Sequence, residues 1–277
     1  MLVCIQLSTL KIIIYEYAIG EMNVMINSLD YKDLHDQFIN AKPYNHVIID
    51  NFFDEETALA ISHEFPDYNS DVWHIYNNPL EKKRACNSWN IFQKNAYSTF
   101  CYLNSQQFIS KLKKLTGIKK LYPDVGLHGG GMHLHGQGDK LNIHLDYSIH
   151  PKLKLQRKLN LIIYLGEGWD PSWGGQLHLQ SKTNTTKIDT LFNRAIIFDT
   201  TQNSYHGLPD PIQCPEDKYR KSIAVYYLTD PPKNCATHSK AIYLPTKEQE
   251  NDPTIKELIR KRSSIITAEE VYKYKKQ

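Results

Sequence analysis

KLNIHLD, residues 140–146, alternates apolar and polar side chains in the way that is typical of a half-buried β-strand. Side chains two positions apart project from the same face of a strand, so His144 and Asp146 lie side by side while Ile143 and Leu145 pack behind them. An imidazole and a carboxylate in that arrangement are suitable ligands for a metal ion. The stretch therefore predicts a strand that carries part of a metal site.

Short apolar runs of the same kind continue along the chain, separated by Gly, Pro and Asn. They are KLNLIIYL (158–165), GGQLHLQ (174–180), NRAIIFDT (193–200) and KSIAVYYLT (221–229). Several short strands at this spacing indicate an all-β sandwich or barrel rather than alternating βαβ units. We expect residues 121–233 to form this β core.

The sequence on either side of the β-rich region has helical patterning. Residues 25–120 are predicted to be mostly helical and to support the core, with one strand at HVIIDN (46–51). Residues 234–277 are expected to return to helix. Residues 1–24 are interpreted as a disordered or non-native extension. The predicted fold class is mainly β with flanking helices.

His206 is the candidate for a third metal ligand. It follows the predicted strand at 193–200, and Gly207 and Pro209 mark a bend from which a side chain can point into a cavity. Two imidazoles and one carboxylate on one side of an ion, with the other side open, form the facial set of non-haem Fe(II) oxygenases. An isolated His-x-Asp is more often structural, so this prediction depends on agreement with a distant feature.

Arg220 supplies that feature, fourteen residues after His206 at the start of a predicted strand. Its planar guanidinium can bind a carboxylate through paired hydrogen bonds, and Ser222, on the same strand face, can add another. The two residues are predicted to anchor a dicarboxylate. The alternative is an exposed arginine at a strand edge beside Lys221.

Composition narrows the classes of partner and compartment. The net charge is only +3, and the lysines are spread along the chain rather than clustered, so we expect no nucleic-acid partner. The apolar N-terminal run is interrupted by Lys11 and Glu16, which argues against a membrane segment. The chain has five scattered cysteines without a CxxC pair, which favours reduced thiols and a cytoplasmic location.

The combination of these motifs resembles the Fe(II)/2-oxoglutarate-dependent oxygenases, specifically their prolyl 4-hydroxylase-like branch. His144-x-Asp146, RKLNLIIYL, WGGQLHL, NRAIIFDT followed by SYHG, and RKS occur in the family's order. The resemblance implies a double-stranded β-helix core, a jelly-roll or cupin-like variant, braced by N-terminal helices. It also implies Fe(II) on His144, Asp146 and His206, 2-oxoglutarate as cosubstrate, O2 as oxidant, and support of activity by ascorbate in vitro.

The resemblance extends to further residues with less definition. His133 lies where this branch often carries a histidine, and His135 lies near a position where prolyl hydroxylases use a tyrosine against the cosubstrate. Both are candidates for cosubstrate binding. Asn160 and Tyr164 share one face of a predicted strand, and either a cosubstrate contact or a core position fits them. Because Asp146 occupies the position that halogenating relatives leave open for chloride, hydroxylation is favoured.

The substrate and the oligomeric state remain open at this point. A peptidyl proline or other protein side chain, a free metabolite, and a sugar or natural-product intermediate are all compatible with the motifs. The alternatives to an oxygenase are a non-catalytic jelly-roll binding protein and a cupin-like metalloenzyme that does not use 2-oxoglutarate. Arg220 at its spacing argues against both.

Overall fold

The computed structural model describes residues 24–201, 203–238, 240–264, 266–267 and 271. Apart from Val24, the predicted extension at 1–24 therefore lies outside the described residues. The helices are α1 (Tyr31–Asn40), α2 (Glu55–His63), α3 (Lys94–Leu103), α4 (Gln106–Thr116) and α5 (Pro253–Arg262). The strands are β1 (His46–Ile49), β2 (His74–Asn78), β3 (Glu81–Cys86), β4 (Tyr122–Pro123), β5 (Gly131–His135), β6 (Lys140–Leu145), β7 (Gln156–Tyr164), β8 (Leu177–Gln180), β9 (Thr185–Ile188), β10 (Ala195–Asp199), β11 (Tyr205–Leu208), β12 (Arg220–Thr229) and β13 (Ile242–Tyr243).

The strands form one strongly curled antiparallel sheet. Its order is β1-β10-β7-β12-β5-β3-β6-β11-β8-β9, and β13, β2 and β4 add to β6, β3 and β12. Neighbours in the sheet are far apart along the chain, as in a double-stranded β-helix, where the two ends of the sheet face each other. The predicted fold class, mainly β with flanking helices around such a core, is confirmed.

The N-terminal helices cover the outer face of this sheet. α1 and α2 begin at aspartate N-caps, Asp30 and Asp54, whose side chains accept backbone N–H bonds of the first turn. α4 ends at Gly117, which takes a left-handed conformation with φ of 73° that suits glycine. Their apolar side chains join those of β7, β10 and β12 in one buried core.

One face of β12 packs in the hydrophobic core, and the other face lines a cavity. Ile223, Val225 and Tyr227 point into the helix-covered core, where each is at most 1% exposed. The alternate residues Ser222 and Tyr226 line the cavity on the other face. Because both faces are buried, the strand is almost continuously apolar in sequence.

The β2–β3 hairpin comes from outside the β-rich region. It lies within residues 74–86, and β3 enters the sheet between β5 and β6. The turn is held by the Asn78 side chain, which accepts N–H bonds from Leu80 and Glu81. The sequence did not reveal this hairpin, because the charged run EKKRAC lacks apolar alternation.

The C-terminal segment returns to the sheet through β13, which pairs with β6, and then forms α5. Asp252 caps the start of α5, and Pro253 occupies its first position. In the part of the chain that the structure describes, no helix has the length and apolarity needed to cross a bilayer.

Candidate active site

The curled sheet encloses a cavity of about 320 Å³. Its wall is built by β3, β5, β6, β7, β11 and β12, with further side chains from the C-terminal segment. All seven residues predicted for the site line this cavity or its mouth: His133, His135, His144, Asp146, His206, Arg220 and Ser222. The sequence analysis thus selected residues that the fold brings together.

His144, Asp146 and His206 form one compact group. A ligand atom of each lies within 4.8 Å of the ligand atoms of the other two, and all three side chains are buried. His144 and His206 face each other across the β6–β11 pair, and Asp146 follows directly after the end of β6. His206 is therefore on a strand of its own rather than at a bend.

Gly207 allows β11 to approach β6 closely enough for this pairing. A Cβ built on Gly207 would lie 2.7 Å from the carbonyl oxygen of Leu141, a distance that real side chains do not reach. Any larger residue would push β11 away from β6 and separate His206 from His144. The glycine after His206 is thus a requirement of the site's geometry.

The backbone fixes which imidazole nitrogens face the cavity. Nδ1 of His144 lies 3.0 Å from the carbonyl oxygen of Asn142, and Nδ1 of His206 lies 3.0 Å from that of Ser204. A carbonyl only accepts, so each Nδ1 carries the proton and each Nε2 presents a lone pair. Burial, with a contribution from His206, lowers the pKa of His144 to about 3 and keeps it neutral.

Asp146 is kept ionised by its neighbours. Burial alone would raise its pKa, but Arg157, with Nη1 3.2 Å from Oδ1, and the two histidines reverse the effect and lower the pKa. The Arg157 guanidinium is itself stacked between Tyr147 and Tyr226, 3.5 and 3.3 Å from the ring centroids. The site therefore contains an anionic oxygen ligand with a fixed orientation.

Arg220 is buried inside the sheet and not exposed at an edge. Only 4% of it is accessible, and β12 is flanked by β5 and β7. Its Nε donates to the carbonyl oxygen of Gly175 at 2.8 Å, and its guanidinium lies 4.7 Å from the Tyr164 ring. Among the described residues, no carboxylate lies within 4 Å of it. A buried cation without an anionic partner is costly unless a ligand supplies the anion.

His133 and His135 project from β5 beside this cation. In the sheet register, His135 is opposite Arg220 and His133 is opposite Ser222. Burial, with Arg220 adding to it, lowers the pKa of His135 well below its usual value. Both ring nitrogens of His135 are buried without a hydrogen-bond partner in the described structure. An incoming polar ligand would satisfy them.

Asn160 and Tyr164 lie on β7, in register with Tyr226 and Ser222 of β12. Asn160 is 1% exposed and lines the cavity, and its side-chain oxygen lacks a hydrogen-bond partner within the described residues. Tyr164 is fully buried, and the Arg220 guanidinium lies 4.7 Å from its ring. Of the two residues, Tyr164 is therefore the one beside Arg220.

Four of the cavity residues that the sequence analysis missed form one network. Arg262 of α5 donates to Oε1 of Glu81 from Nη2 at 2.6 Å and from Nε at 3.1 Å. The Tyr243 hydroxyl donates to Oε2 of Glu81 at 2.9 Å, and the Tyr243 ring stacks on His144 with 5.1 Å between centroids. The fourth residue, Lys83, lies 3.7 Å from Glu81. Tyr243 and Arg262 are 162 and 181 positions from Glu81 along the chain.

The chemistry of these residues fits Fe(II) and a 2-oxo dicarboxylic acid. Two neutral imidazoles and one carboxylate suit Fe(II) and leave one side of the ion open for other ligands. Arg220 offers a planar cation to a carboxylate, and His135, opposite Arg220 in the sheet register, offers orphaned polar atoms. The three metal-binding side chains and Arg220, which has no carboxylate partner among the described residues, line the same cavity.

Comparison with known proteins agrees with this chemistry. Residues 130–228 match the family model of the 2OG-Fe(II) oxygenase superfamily. No curated protein sequence shows a significant match. The matched region contains the five residues of the metal and carboxylate sites, His144, Asp146, His206, Arg220 and Ser222.

Two solved structures with similar folds are prolyl hydroxylases. A Trichoplax adhaerens prolyl hydroxylase in complex with a peptide of hypoxia-inducible factor has a TM-score of 0.54 at 18% identity, over 72% of this chain and 90% of that one. A Pseudomonas putida prolyl-4-hydroxylase has a TM-score of 0.52 at 14% identity, over 73% of this chain and 100% of that one. At these identities the likeness concerns the fold. Residues 130–228 of this chain thus match the 2OG-Fe(II) oxygenase superfamily, and the fold is similar to that of prolyl 4-hydroxylases.

Proposed function

We propose that this dioxygenase binds Fe(II) through His144, Asp146 and His206 and hydroxylates an acceptor substrate in the cavity. Two features of one cavity support this assignment. The ligand atoms of the three buried side chains lie within 4.8 Å of one another, and Arg220 has no carboxylate partner among the described residues. With its cosubstrate and O2 bound, the iron supplies the oxidation that converts 2-oxoglutarate to succinate and CO2 and hydroxylates the substrate.

Arg220 and Ser222 hold the distal carboxylate of 2-oxoglutarate in this proposal. Both face the cavity from β12, and Arg220 receives from the cosubstrate the negative charge that the protein does not provide. His135 orients the cosubstrate through its free ring nitrogens, and His133 lines the next position along β5. Tyr164, whose ring lies beside the Arg220 guanidinium, and Asn160, which lines the cavity opposite Tyr226, are further candidates for contact with the cosubstrate.

The presence of Asp146 supports hydroxylation rather than halogenation. Its carboxylate is held by Arg157 and directed at the two histidines, so the position where chloride would have to bind is filled. A cupin-like enzyme without 2-oxoglutarate, or a non-catalytic binder, would leave the charge of Arg220 without a role.

The division of the chain also stays a proposal. We assign the metal and cosubstrate residues to 121–233, support of that core to 25–120, and a C-terminal tail with β13 and α5 to 234–277; β3 and this tail also contribute side chains to the cavity wall. We further propose a reducing cytoplasmic compartment, and a peptide or small-molecule substrate rather than nucleic acid. The Trichoplax adhaerens relative was solved with a peptide, which fits the first of these substrate classes.

Release of succinate from 2-oxoglutarate in the presence of Fe(II), ascorbate and O2 tests the function. A panel of proline-containing peptides and metabolites is then screened for stimulation of that release and for a mass gain of one oxygen atom. We expect turnover that requires both Fe(II) and 2-oxoglutarate. Succinate formation no greater with Fe(II) than in the presence of a chelator, across the whole panel, would contradict the proposal.

A further inference from the structure

The cavity contains more positive than negative side chains. Lys83, Arg157, Arg220, Lys240 and Arg262 line it, whereas its carboxylates are Glu81 and Asp146. Asp146 is matched by Arg157 and the metal ligands, and the charge of Arg220 is assigned to 2-oxoglutarate in the proposal above. Of the other cations, Lys83 and Arg262 both lie beside the second carboxylate, Glu81.

Glu81 is already committed to other partners. Its Oε1 accepts two hydrogen bonds from Arg262, and its Oε2 accepts one from Tyr243. Lys83 Nζ lies 3.7 Å from Oε2, beyond hydrogen-bonding distance, and 4.9 Å from the Tyr76 ring. Within the described ranges, Glu81 is the only carboxylate within 4 Å of Lys83. One carboxylate therefore faces two cations, and Arg262 has the better geometry.

Lys83 is separated from the cosubstrate anchor by a strand. β3 pairs with one edge of β5, where Ala85 is opposite His133, and β12 pairs with the other edge, where Ser222 is opposite the same histidine. Lys83 is only 16% exposed in its side chain and lines the cavity from β3. Competition with 2-oxoglutarate therefore distinguishes an anion beside Lys83 from the carboxylate on Arg220.

We propose that Lys83 binds an anionic group of the substrate, so that the substrate is an acid carrying a carboxylate or a phosphate. This inference rests on the function proposed above. The ammonium group provides up to three donors to such a group at a partly desolvated position, where charge-assisted bonds are strong. The network of Glu81, Arg262 and Tyr243 holds the strand that carries Lys83 against the C-terminal helix.

The test uses the full chain loaded with Mn(II) and 2-oxoglutarate, with inorganic phosphate and acetate as probes. Bound Mn(II) accelerates the nuclear relaxation of an anion that binds close to it, so ³¹P relaxation of phosphate and methyl-proton relaxation of acetate report occupancy. We expect saturable binding of at least one anion in the presence of saturating 2-oxoglutarate. Whichever anion binds identifies the phosphate or carboxylate class.

Two variants of Lys83 and one neighbour complete the design. Lys83→Met should weaken the anion at least about tenfold through loss of charge-assisted bonds, and Lys83→Arg should retain it. Lys82→Met, on the exposed side of the same strand, should change nothing. Mn(II) and 2-oxoglutarate affinities are measured for every variant, and Lys83→Gln replaces Lys83→Met if the latter does not fold.

Several outcomes would overturn the role of Lys83. Two of them concern anion binding: the native protein shows no saturable binding, or the native and Lys83→Met proteins bind the anion equally well. The other two concern the cosubstrate: the anion competes with 2-oxoglutarate, or Lys83→Met loses affinity for 2-oxoglutarate. The last two would assign the anion or the lysine to the cosubstrate. Failure of the native protein to bind Mn(II) and 2-oxoglutarate would instead contradict the proposed function, and with it this inference.

Discussion

The two sides of the cavity wall are built in different ways. On the side of β6 and β12, the polar residues of the site come in pairs two positions apart, His144 with Asp146 and Arg220 with Ser222, and strand alternation places each pair on one face. On the side of β3 and the C-terminal segment, contacts join residues 162 and 181 positions apart, from Tyr243 and Arg262 to Glu81. We infer that the first side determines the reaction and the second determines the substrate.

Removing a metal ligand should have the largest effect, because it should abolish most of the turnover of 2-oxoglutarate. We expect Asp146→Ala to lower 2-oxoglutarate turnover by at least about a hundredfold, because the only anionic ligand is lost and Arg157 is left without its partner. The measurement is succinate release together with the Fe(II) dissociation constant. Asp210→Ala, whose side chain is 76% exposed, is the control. Turnover within a few-fold of the native value would remove Asp146 from the site.

Replacing the carboxylate anchor should affect cosubstrate binding and leave the metal in place. Arg220→Lys should raise the KM for 2-oxoglutarate about ten- to hundredfold, since a point charge does not reproduce the planar fork. Arg194→Lys, which alters a guanidinium that binds Asp50 near the surface, serves as the matched control. An unchanged KM in Arg220→Lys would assign the distal carboxylate to another residue.

A change on the substrate side should reduce stability and spare the reaction. Tyr243→Phe removes the hydroxyl that donates to buried Glu81 but keeps the ring on His144. We expect the free energy of unfolding to fall by about 1 to 3 kcal/mol, with the KM for 2-oxoglutarate unchanged. Denaturant unfolding measures the first quantity, with Tyr122→Phe at a 37% exposed position as control. A large rise in KM would show that the two sides are not separable.

The smallest effect is expected at Ser222. Its hydroxyl adds one neutral hydrogen-bond donor beside Arg220, so Ser222→Ala should raise the KM for 2-oxoglutarate only about two- to tenfold. A loss as great as that in Arg220→Lys would mean that the serine, and not the arginine, dominates binding. Comparison of the two variants in the same assay therefore ranks the anchor residues.

The sequence predicted the site residues on β6 and β12, but not those on β3 and the C-terminal segment. His144, Asp146, Arg220 and Ser222 could be identified because strand periodicity places neighbouring side chains on one face. The β core was predicted for the same reason. Sequence placed His206 at a bend, whereas it lies on β11, because Gly207 with Pro209 indicates a turn while Gly207 in fact permits close strand pairing.

Glu81, Lys83 and Arg262 could not be predicted from sequence. Each belongs to a charged run that is typical of a solvated surface, EKKR in the hairpin and RKR at the end of α5. Only the tertiary fold shows that one carboxylate is buried between two of these cations. The physical signal is long-range charge matching, which has no fixed spacing along a chain.

The most direct test of the central claim is an anaerobic titration of the native protein with Fe(II) and 2-oxoglutarate, followed by visible absorption. Chelation of the 2-oxo acid by a protein-bound Fe(II) gives a metal-to-ligand charge-transfer band. We predict a band that saturates at one Fe(II) and one 2-oxoglutarate per chain, is lost in Asp146→Ala, and requires more 2-oxoglutarate in Arg220→Lys. A band of equal intensity and affinity in Asp146→Ala, or no band in the native protein, would contradict the account.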